Sequence, residues 1–489
     1  MDKRTRLSAL ATAALTGLGG FAVPSAAAAA PRTPETTSAP TSCAMTRTGE
    51  YQKTDAGAVG LDGQQVQKAV DYWVREGAEN LKVFRHGCLV SEGALNPLTD
   101  RVPRQNWSQT KTVSALIAGI VVRKGLIKVD DPIGKYLPAG LGDAAHRAIT
   151  IRSVLNMTTG VQMNWTRGLN FFSDISRPRE AMTMKTVHKP GEYFEYDQDT
   201  PSVLNYVVQH ALRKGGVNMD YQAFAQKELF NKLGIPLSAY WWQRDRSGNT
   251  LGYSQLFLRP LEFGRIGDLM MHEGVFAGER LIDKSYMKEL RTGSKANCGY
   301  GFMVWLNSCS GNAHQVNGSI MQRREISPAQ PFIASAPADM YYSWGYHGQH
   351  TFVIPSLDMI ITRSGERPAD SSSNLQRLDP DLVTAGAQKA GYFEFFKELM
   401  AGVKDMPRAA SIKSSGTYTG DTELNADPDT YMNPATAGPG SYLAVGPEAP
   451  QGCTFLGCEG ESNDGLQTWL SDVPRTFPGV IGREQRPNG

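Results

Sequence analysis

Ser108 and Lys111 lie three residues apart in the tetrad Ser108-Gln109-Thr110-Lys111, at the start of a long apolar stretch. Residues i and i+3 of a helix point to the same side, so the lysine amine would lie near the serine hydroxyl. Burial disfavours the charged form of a lysine and lowers its pKa, and a neutral amine can take the proton of a serine. The pair therefore predicts a serine nucleophile with its own base.

The S-x-x-K spacing alone is a weak signal, because about one or two matches are expected by chance in a chain of this length. A second match, Ser285 to Lys288, lies in a mixed polar stretch that is typical of a solvated surface helix. The residues after Lys111 are instead apolar on nearly every face, which predicts a helix buried in the middle of a domain. A polar pair at the buried end of such a helix requires partners or a function.

A serine nucleophile also needs a proton donor for the leaving group and an oxyanion hole. Tyr196 lies in a loop between a Lys189-Pro190 turn and a helix-like run, where its hydroxyl could be presented, although a packed tyrosine would give the same pattern. The segment 344–350, Trp-Gly-Tyr-His-Gly-Gln-His, contains glycines that let a strand edge come close to a ligand. A backbone amide of this segment could therefore donate to an oxyanion.

His347 and His350 in the same segment raise the alternative of a metal site. No H-E-x-x-H motif and no acidic third ligand accompanies them, so no metal is expected. The chain also has no G-x-S-x-G motif, which argues against an α/β-hydrolase.

The elements that must position these residues fall into separate regions of the chain. Residues from about 140 to 290 are rich in helix and loop patterns, and strand patterns dominate from residue 300 onward. Helices are predicted at 64–76, from 108 to about 124, and at 393–403. Strands are predicted at 81–90, 301–306 and 340–346, and a hairpin at 351–354 and 359–362.

The first thirty residues combine basic residues, an apolar run and small residues, which is the pattern of a secretory signal peptide. Without that segment the formal charge of the chain is zero, so neither nucleic acid nor an anionic membrane is expected as a partner. Residues 31–50 resemble a flexible lead-in. A glycan on the sequon Asn106-Trp107-Ser108 would cover the nucleophile, so the site is expected to be unglycosylated, which favours a bacterial protein. This protein is expected to be secreted or periplasmic, with no stable membrane insertion.

Six cysteines in an exported chain favour disulfides over metal ligands. Short spacing suggests the pairs Cys298–Cys309 and Cys453–Cys458, which leaves Cys43 with Cys88. Six cysteines allow about fifteen pairings, and the spacing does not exclude the others.

Five blocks of the chain, taken in order, resemble the serine β-lactamase-like superfamily of the class C β-lactamase and penicillin-binding type. Within that group they are most similar to the 6-aminohexanoate-dimer hydrolases. The blocks are residues 107–111 with the helix that follows, 129–138, 149–160, 190–200 and 345–349. The resemblance implies an α+β fold, with an antiparallel β-sheet flanked by helices and a helix-rich second lobe. It places this domain at 51–404, its lobe at about 140–290, and a loop-rich C-terminal appendage at 405–489.

The resemblance also implies roles for individual residues. Ser108 would be the acylated nucleophile, Lys111 its general base, and Tyr196 the acid and base that serves the leaving group. The oxyanion hole would be formed by the backbone N–H groups of Ser108 and Tyr346, and the substrate would be bound by His347, Gly348 and Gln349. True β-lactamases carry Tyr-x-Asn and Lys-Thr-Gly, whereas this chain has Tyr-Asp-Gln at 196–198 and no Lys-Thr-Gly, which disfavours antibiotic hydrolysis.

The expected function is that of an exported serine hydrolase that cleaves amide or ester bonds through an acyl-enzyme, without metal or cofactor. A neutral or amphiphilic small molecule or short oligomer is the expected substrate, such as a linear amide oligomer of the 6-aminohexanoate-dimer type. A carboxylesterase, a D-amino-acid peptidase and a β-lactamase are the alternatives among enzymes. A catalytically inactive module that binds cell-wall peptides is the alternative from another class.

Overall fold

An antiparallel sheet covered by helices on both faces is the frame of the molecule. The computed structural model describes residues 41–162, 175–307, 314–316, 323–325, 333–345, 348–365, 391–406, 453–454 and 457–458. The strands in chain order are β1 (Asn80–Arg85), β2 (Cys88–Glu92), β3 (Arg104–Gln105), β4 (Tyr240–Trp242), β5 (Leu256–Leu258), β6 (Val275–Phe276), β7 (Glu279–Arg280), β8 (Trp305–Leu306), β9 (His314–Val316), β10 (Arg323–Glu325), β11 (Tyr341–Gly345), β12 (Gln349–Ile354), β13 (Met359–Ser364), β14 (Cys453–Thr454) and β15 (Gly457–Cys458).

Six of these strands form the main sheet, in the order β2-β1-β13-β12-β11-β8. Every neighbouring pair in that sheet is antiparallel. Each residue of β1, β12 and β13 is buried, because helices cover both faces of the middle of the sheet. A smaller sheet has three strands in the order β3-β5-β4, and its strand β3 ends three residues before Ser108.

The helices in chain order are α1 (Gly63–Arg75), α2 (Asn96–Thr99), α3 (Gln109–Arg123), α4 (Ala144–Ala148), α5 (Ile151–Leu155), α6 (Arg177–Ala181), α7 (Thr200–Lys214), α8 (Tyr221–Ala225), α9 (Asn231–Leu233), α10 (Phe263–Met271), α11 (Lys284–Leu290) and α12 (Tyr392–Ala401). A π-helical turn, Gln226–Phe230, joins α8 to α9. Short 3₁₀ turns lie at Ala56–Val59, Ile133–Lys135, Leu237–Ala239, Pro260–Glu262 and Pro355–Leu357. Helices α4 to α11 lie between residues 144 and 290, within the part of the chain that the sequence pattern predicted to be rich in helix and loop.

Aromatic stacking holds two helices against one face of the main sheet. The Trp73 ring of α1 stacks on the Phe395 ring of α12 with centroids 3.5 Å apart, and it lies 5.9 Å from the Phe352 ring of β12. On the opposite face, Gln109 of α3 donates a 2.7 Å hydrogen bond to the Thr351 hydroxyl of β12. The sheet surface that carries Thr351 is therefore the one that packs against α3.

Helix α3 is surrounded by protein, as its apolar sequence predicts. Thirteen of its fifteen residues are buried. Its outer side packs on α11, where the Tyr286 hydroxyl donates a 2.7 Å hydrogen bond to Ala115 O and a Cβ on Gly119 would lie 2.7 Å from the Tyr286 ring. Ser285 and Lys288 of α11 are exposed, so the second S-x-x-K match lies on a solvated face, as expected.

The α+β class and most of the predicted elements are confirmed, with two corrections. The single strand predicted at 81–90 is the hairpin of β1 and β2, closed by His86 and Gly87 with φ values of 50° and 73°. The strand predicted at 301–306 is reduced to β8, because Gly301 N–H donates to Val304 O and closes a turn. The predicted hairpin around Pro355 is formed by β12 and β13.

The segment from residue 41 onward, the described part of the expected lead-in, is bound to the domain. Cys43 forms a disulfide with Cys88, as spacing suggested, and Cys43 N–H donates 2.8 Å to His86 O. Arg47 forms a 2.6 Å ion pair with Glu279. Cys298 and Cys458 are also disulfide-bonded, and the proposed pairs with Cys309 and Cys453 involve side chains outside the described ones.

Within the described part of the chain, each helix is too short or too polar to cross a membrane.

Loss of the Cys43–Cys88 disulfide should lower the free energy of unfolding by about 2–4 kcal/mol. The bridge joins residues 45 positions apart, so it restricts the unfolded chain. Urea unfolding of the paired variant C43A/C88A against the wild type measures the difference. Equal transition midpoints and slopes for the two proteins would contradict the expectation.

Candidate active site

A strained turn delivers Ser108 to the start of α3. Trp107 has a φ of 49°, a left-handed conformation that bulky residues rarely adopt. Ser108 then occupies the N-cap position, and Gln109 N–H and Thr110 N–H donate to Asn106 O and Trp107 O at 3.1 and 3.0 Å. The Ser108 N–H has no acceptor among the described residues. The turn therefore leaves the serine hydroxyl and its own amide available to a ligand.

Lys111 is almost completely buried, with 1% of its surface exposed. Its Nζ lies 3.1 Å from Ser108 Oγ, 2.7 Å from Gln198 Oε1 and 3.0 Å from Tyr253 O. Burial lowers the pKa of the amine well below its ordinary value. The Asp197 carboxylate opposes that shift, and the Arg177 guanidinium adds to it.

The three partners of Lys111 have different hydrogen-bonding capacities. Gln198 Oε1 and Tyr253 O only accept, and a neutral amine has two N–H groups to donate. If those two carbonyls accept both N–H bonds, the remaining lone pair of Nζ faces Ser108 Oγ. The geometry is therefore that of an amine prepared to take a proton from the serine hydroxyl.

Tyr196 lies in the loop that precedes α7, and its ring covers the lysine. Lys111 Nζ is 4.7 Å from the ring centroid. Burial raises the pKa of the Tyr196 phenol well above its usual range, the side-chain hydrogen bond with Ser108 lowers it, and the Asp197 charge raises it. The ring packs on Trp305 and Tyr300 at 5.5 and 6.0 Å, so aromatic residues fix the position of the phenol.

Asp197 is a second buried titratable group beside the lysine. Burial and the neighbouring Asp199 carboxylate raise the pKa of Asp197 to about 6, whereas hydrogen bonds from Thr200 and the charge of Lys111 oppose the rise. The Thr200 N–H donates 2.6 Å to Asp197 Oδ1, and the Thr200 hydroxyl donates to Oδ2. Asp197 thus binds Thr200, the first residue of α7, while its charge acts on Lys111.

Gly345 at the end of β11 lies close to the turn that carries Ser108, whereas the predicted approach of this segment to a ligand stays a prediction. A Cβ at this position would lie 2.3 Å from Asn106 O and 3.2 Å from Gln109 N, so only glycine lets the strand touch the nucleophile turn. Tyr346 and His347, the predicted oxyanion donor and substrate ligand, lie outside the described residues. Gly345 itself lies against the turn that carries Ser108.

Gly348 and Gln349 make contacts within the main sheet. Gly348 O accepts a 2.7 Å hydrogen bond from Arg363 Nη1, and the buried Gln349 Nε2 donates 3.0 Å to Gly365 O. These bonds join β12 to β13, and a substrate contact at either residue stays a prediction. His350 Nε2 lies 2.6 Å from the Tyr392 hydroxyl. Among the described residues, no cluster of three or more His, Cys, Asp or Glu side chains could hold a metal ion.

Sequence reasoning missed Gln198 and Tyr253, the two acceptors of Lys111. Gln198 stood out only as a departure from Tyr-x-Asn, yet its amide oxygen holds the lysine at 2.7 Å. The Tyr253 contact uses a backbone carbonyl, which any residue type can supply, so no motif could have indicated it. The side chain of glutamine is one methylene longer than that of the asparagine in Tyr-x-Asn, so Gln198 presents the same amide group further from the backbone.

Comparisons with known proteins bear on the fold that carries this site. The Beta-lactamase family profile matches residues 70–257, a range that contains Ser108, Lys111 and Tyr196. A solved structure of a candidate β-lactamase from Bacteroides dorei DSM 17855 is similar, with a TM-score of 0.53 at 16% identity over 71% of this chain and 100% of that one. The chain has the serine β-lactamase-type fold. The expected resemblance to this superfamily of serine hydrolases and penicillin-binding proteins is thereby confirmed.

A candidate 6-aminohexanoate-dimer hydrolase from Bacillus anthracis shares this β-lactamase-type fold. It aligns with a TM-score of 0.50 at 12% identity, over 72% of this chain and 90% of that one. No curated protein gives a significant match. At such low identities the similarity shows the fold and does not indicate the substrate.

Replacing Lys111 with Met should make the stability difference between the two proteins depend on pH. The folded protein holds this amine with a pKa lowered well below 10.5, so between the folded and the unfolded pKa values the unfolded chain binds the extra proton. The wild type should therefore gain stability relative to K111M as pH rises toward 10.5, by up to about 1.4 kcal/mol per pH unit. Urea unfolding between about pH 7 and pH 9.5 measures the slope.

Lys288→Met is the matched control, because Lys288 takes the lysine position of the second S-x-x-K and is exposed. Its stability difference from the wild type should not follow that slope. A flat difference for K111M would mean that Lys111 keeps its proton in the folded protein.

Proposed function

We propose that the protein is a serine hydrolase that cleaves amide or ester bonds through an acyl-enzyme on Ser108. The observation that carries the proposal is the 3.1 Å contact between Ser108 Oγ and a buried lysine amine whose two other partners are carbonyl acceptors. Lys111 is the general base, and Tyr196 is the group that serves the leaving atom. No step requires a metal or a cofactor.

In the first step, Ser108 Oγ attacks the substrate carbonyl carbon while its proton passes to Lys111 Nζ. The negative charge forms on the substrate oxygen, where the Ser108 N–H and the predicted Tyr346 N–H would donate. The carbon–nitrogen or carbon–oxygen bond then breaks, and the leaving group takes the Tyr196 proton, which Lys111 replaces. In the second step, water attacks the carbonyl carbon of the ester on Ser108 and gives a proton to the same groups. These groups return a proton to Ser108 Oγ as the acid product leaves.

The opposite pKa shifts of the two titratable groups support this assignment. The environment lowers the pKa of Lys111 and raises that of Tyr196, which favours an unprotonated amine beside a protonated phenol near neutral pH. Such a pair is already in the states needed for a base and an acid. The reverse shifts would have disfavoured catalysis by either group.

The substrate class proposed here is a neutral or amphiphilic linear amide or ester. Tyr196 adjoins Trp305, and Trp305 adjoins Trp344 at 5.6 Å, so three aromatic side chains lie in a row on this side of the site. The chain also lacks Lys-Thr-Gly, whose lysine would bind the carboxylate of a β-lactam. The Cys43–Cys88 disulfide supports a secreted or periplasmic location, because such bonds persist in oxidising compartments.

A fluorophosphonate probe should label Ser108, because its phosphorus accepts the serine oxygen and releases fluoride. Wild type and Ser285→Ala should be labelled alike, since Ser285 belongs to the exposed second S-x-x-K. Ser108→Ala should show no labelling, and Lys111→Met should be labelled at least about 100-fold more slowly near neutral pH, because a general base contributes that much. Mass spectrometry of the intact protein measures the adduct.

Equal labelling of Ser108→Ala and wild type would remove Ser108 as the nucleophile. Labelling of none of the four proteins, with all of them folded, would favour the catalytically inactive module that binds cell-wall peptides.

A substrate panel separates the remaining enzyme classes. We expect turnover of 4-nitrophenyl butyrate or the linear 6-aminohexanoate dimer to exceed that of a chromogenic cephalosporin at equal concentration. The aromatic surroundings and the missing Lys-Thr-Gly motif are the reason. Comparison of kcat/KM for these substrates, with a D-alanyl-D-alanine peptide included, gives the ranking. A cephalosporin or the D-peptide at the top would replace the proposed class by a β-lactamase or a D-amino-acid peptidase.

A further inference from the structure

Arg177 is a fully buried cation with no place in the chemistry described above. It begins α6, and 0% of its surface is exposed. Its Nε lies 3.1 Å from Asp199 Oδ1, and its Cζ lies 4.4 Å from the centroid of the Tyr253 ring. Its backbone N–H donates 3.0 Å to Asp245 Oδ2. A guanidinium stays charged in proteins, so its complete burial requires these contacts.

The side chain of Arg177 contacts both segments that supply acceptors to Lys111. Asp199 follows directly after Gln198, whose Oε1 accepts from Lys111 Nζ at 2.7 Å. Tyr253 presents its ring to the guanidinium and its own carbonyl to Lys111 Nζ at 3.0 Å. One planar group therefore touches both segments from which the acceptors of the base project.

We propose that Arg177 is a positioning residue for the base of the proposed reaction. It fixes the Gln198 and Tyr253 carbonyls in the places where they take the N–H groups of Lys111 and leave its lone pair toward Ser108. Its positive charge also disfavours a second positive charge on the neighbouring amine. This role rests on the proposed function, in which Lys111 must be neutral before the serine attacks.

Electrostatics supports the same role. The Arg177 charge lowers the pKa of Lys111 in addition to burial, and Asp197 on the facing loop acts in the opposite direction. The groups that face the base are Ser108 and Tyr196 beside it, Asp197 before α7 and Arg177 from α6. The groups that face Arg177 are Asp199, Asp245 and Tyr253. Because the pKa of Asp197 is about 6, this carboxylate is mostly ionised above pH 7.

The alternative is that Arg177 only stabilises the fold, and the chain offers a matched control for it. Arg265 of α10 is also buried, forms a 2.6 Å ion pair with Glu262, and lies over the Tyr51 ring at 5.2 Å. Its other hydrogen bonds go to Thr46 O and Gly49 O, in the segment that precedes α1. Paired removal of Arg265 and Glu262 thus removes the same kinds of interaction without touching the segments around Lys111.

The test measures the rate of fluorophosphonate labelling of Ser108 from about pH 5 to pH 10 in three variants. R177M/D199N removes the buried cation together with the Asp199 carboxylate that lies 3.1 Å from it, so neither charge of this pair is left without the other. R177K keeps a positive charge but loses the planar group that stacks on Tyr253. R265M/E262Q is the control, and thermal unfolding reports how much stability each variant loses.

We expect R177M/D199N to move the acid limb of the pH profile up by about one pH unit. The Arg177 charge lowers the pKa of Lys111, and the Asp199 charge raises that of Asp197, so loss of both leaves a more fully ionised Asp197 beside a more basic amine. Labelling below that limb should fall about tenfold and recover toward the plateau at higher pH. R177K should keep the wild-type limb and reach a lower plateau. R265M/E262Q should lose stability and keep the wild-type limb.

A wild-type limb and plateau in folded R177M/D199N would overturn the proposal. If that variant does not fold, the plateau labelling rate of R177K is the test. A plateau equal to that of the wild type would overturn the proposal, because the planar contact with Tyr253 would then not be needed. An equal shift of the limb in R265M/E262Q would also overturn it. These outcomes differ from failure of the proposed function, in which Ser108→Ala would be labelled like the wild type at every pH.

Discussion

The cost of burying the Lys111 amine is the constraint on which the rest of the structure depends. An ammonium ion that loses its water needs compensating charge, and a neutral amine needs acceptors for its two N–H groups. The protein supplies the acceptors as Gln198 Oε1 and Tyr253 O. Only then does the third side of the nitrogen face Ser108, so the same desolvation that penalises the charged lysine also makes it a base.

The buried helix α3 and the aromatic residues around Tyr196 both keep water away from the Lys111 amine. The apolar faces of α3 exclude water from one side of Lys111, and the Tyr196 ring covers another at 4.7 Å. Tyr300 and Trp305 in turn hold the Tyr196 ring, so the phenol is buried by neighbours that contribute no charge. The raised pKa of the phenol and the lowered pKa of the amine follow from one dry environment.

The sequence revealed the parts of the site that are local and left out the parts that depend on distant contacts. Ser108 and Lys111 could be found because their spacing is one helical turn, and the apolar residues after them indicate burial. Gly345 could be found because a close backbone approach requires that residue type. Tyr253 and Arg177 could not, since Tyr253 contacts Lys111 through a backbone carbonyl and Arg177 contacts Asp199 and Tyr253 instead of Lys111 itself.

Two strand predictions failed for equally physical reasons. The apolar run at 81–90 hides a turn because the hairpin needs only two residues, and His86 adopts a left-handed conformation that glycine would normally take. The run at 301–306 carries strand-like residues, yet Met303 has a φ of 55° and the chain folds back on itself before β8 begins. Tertiary packing outweighed local preference at both places.

The acceptors of Lys111 reach it from 87 and 142 residues further along the chain. Until those segments have folded against α3, the lysine is solvated and carries its proton, so Ser108 has no base. In the proposed reaction, Ser108 is therefore unreactive in the growing or unfolded chain, and its reactivity arises only with the finished fold. Folding itself would then be the activating step of the proposed reaction.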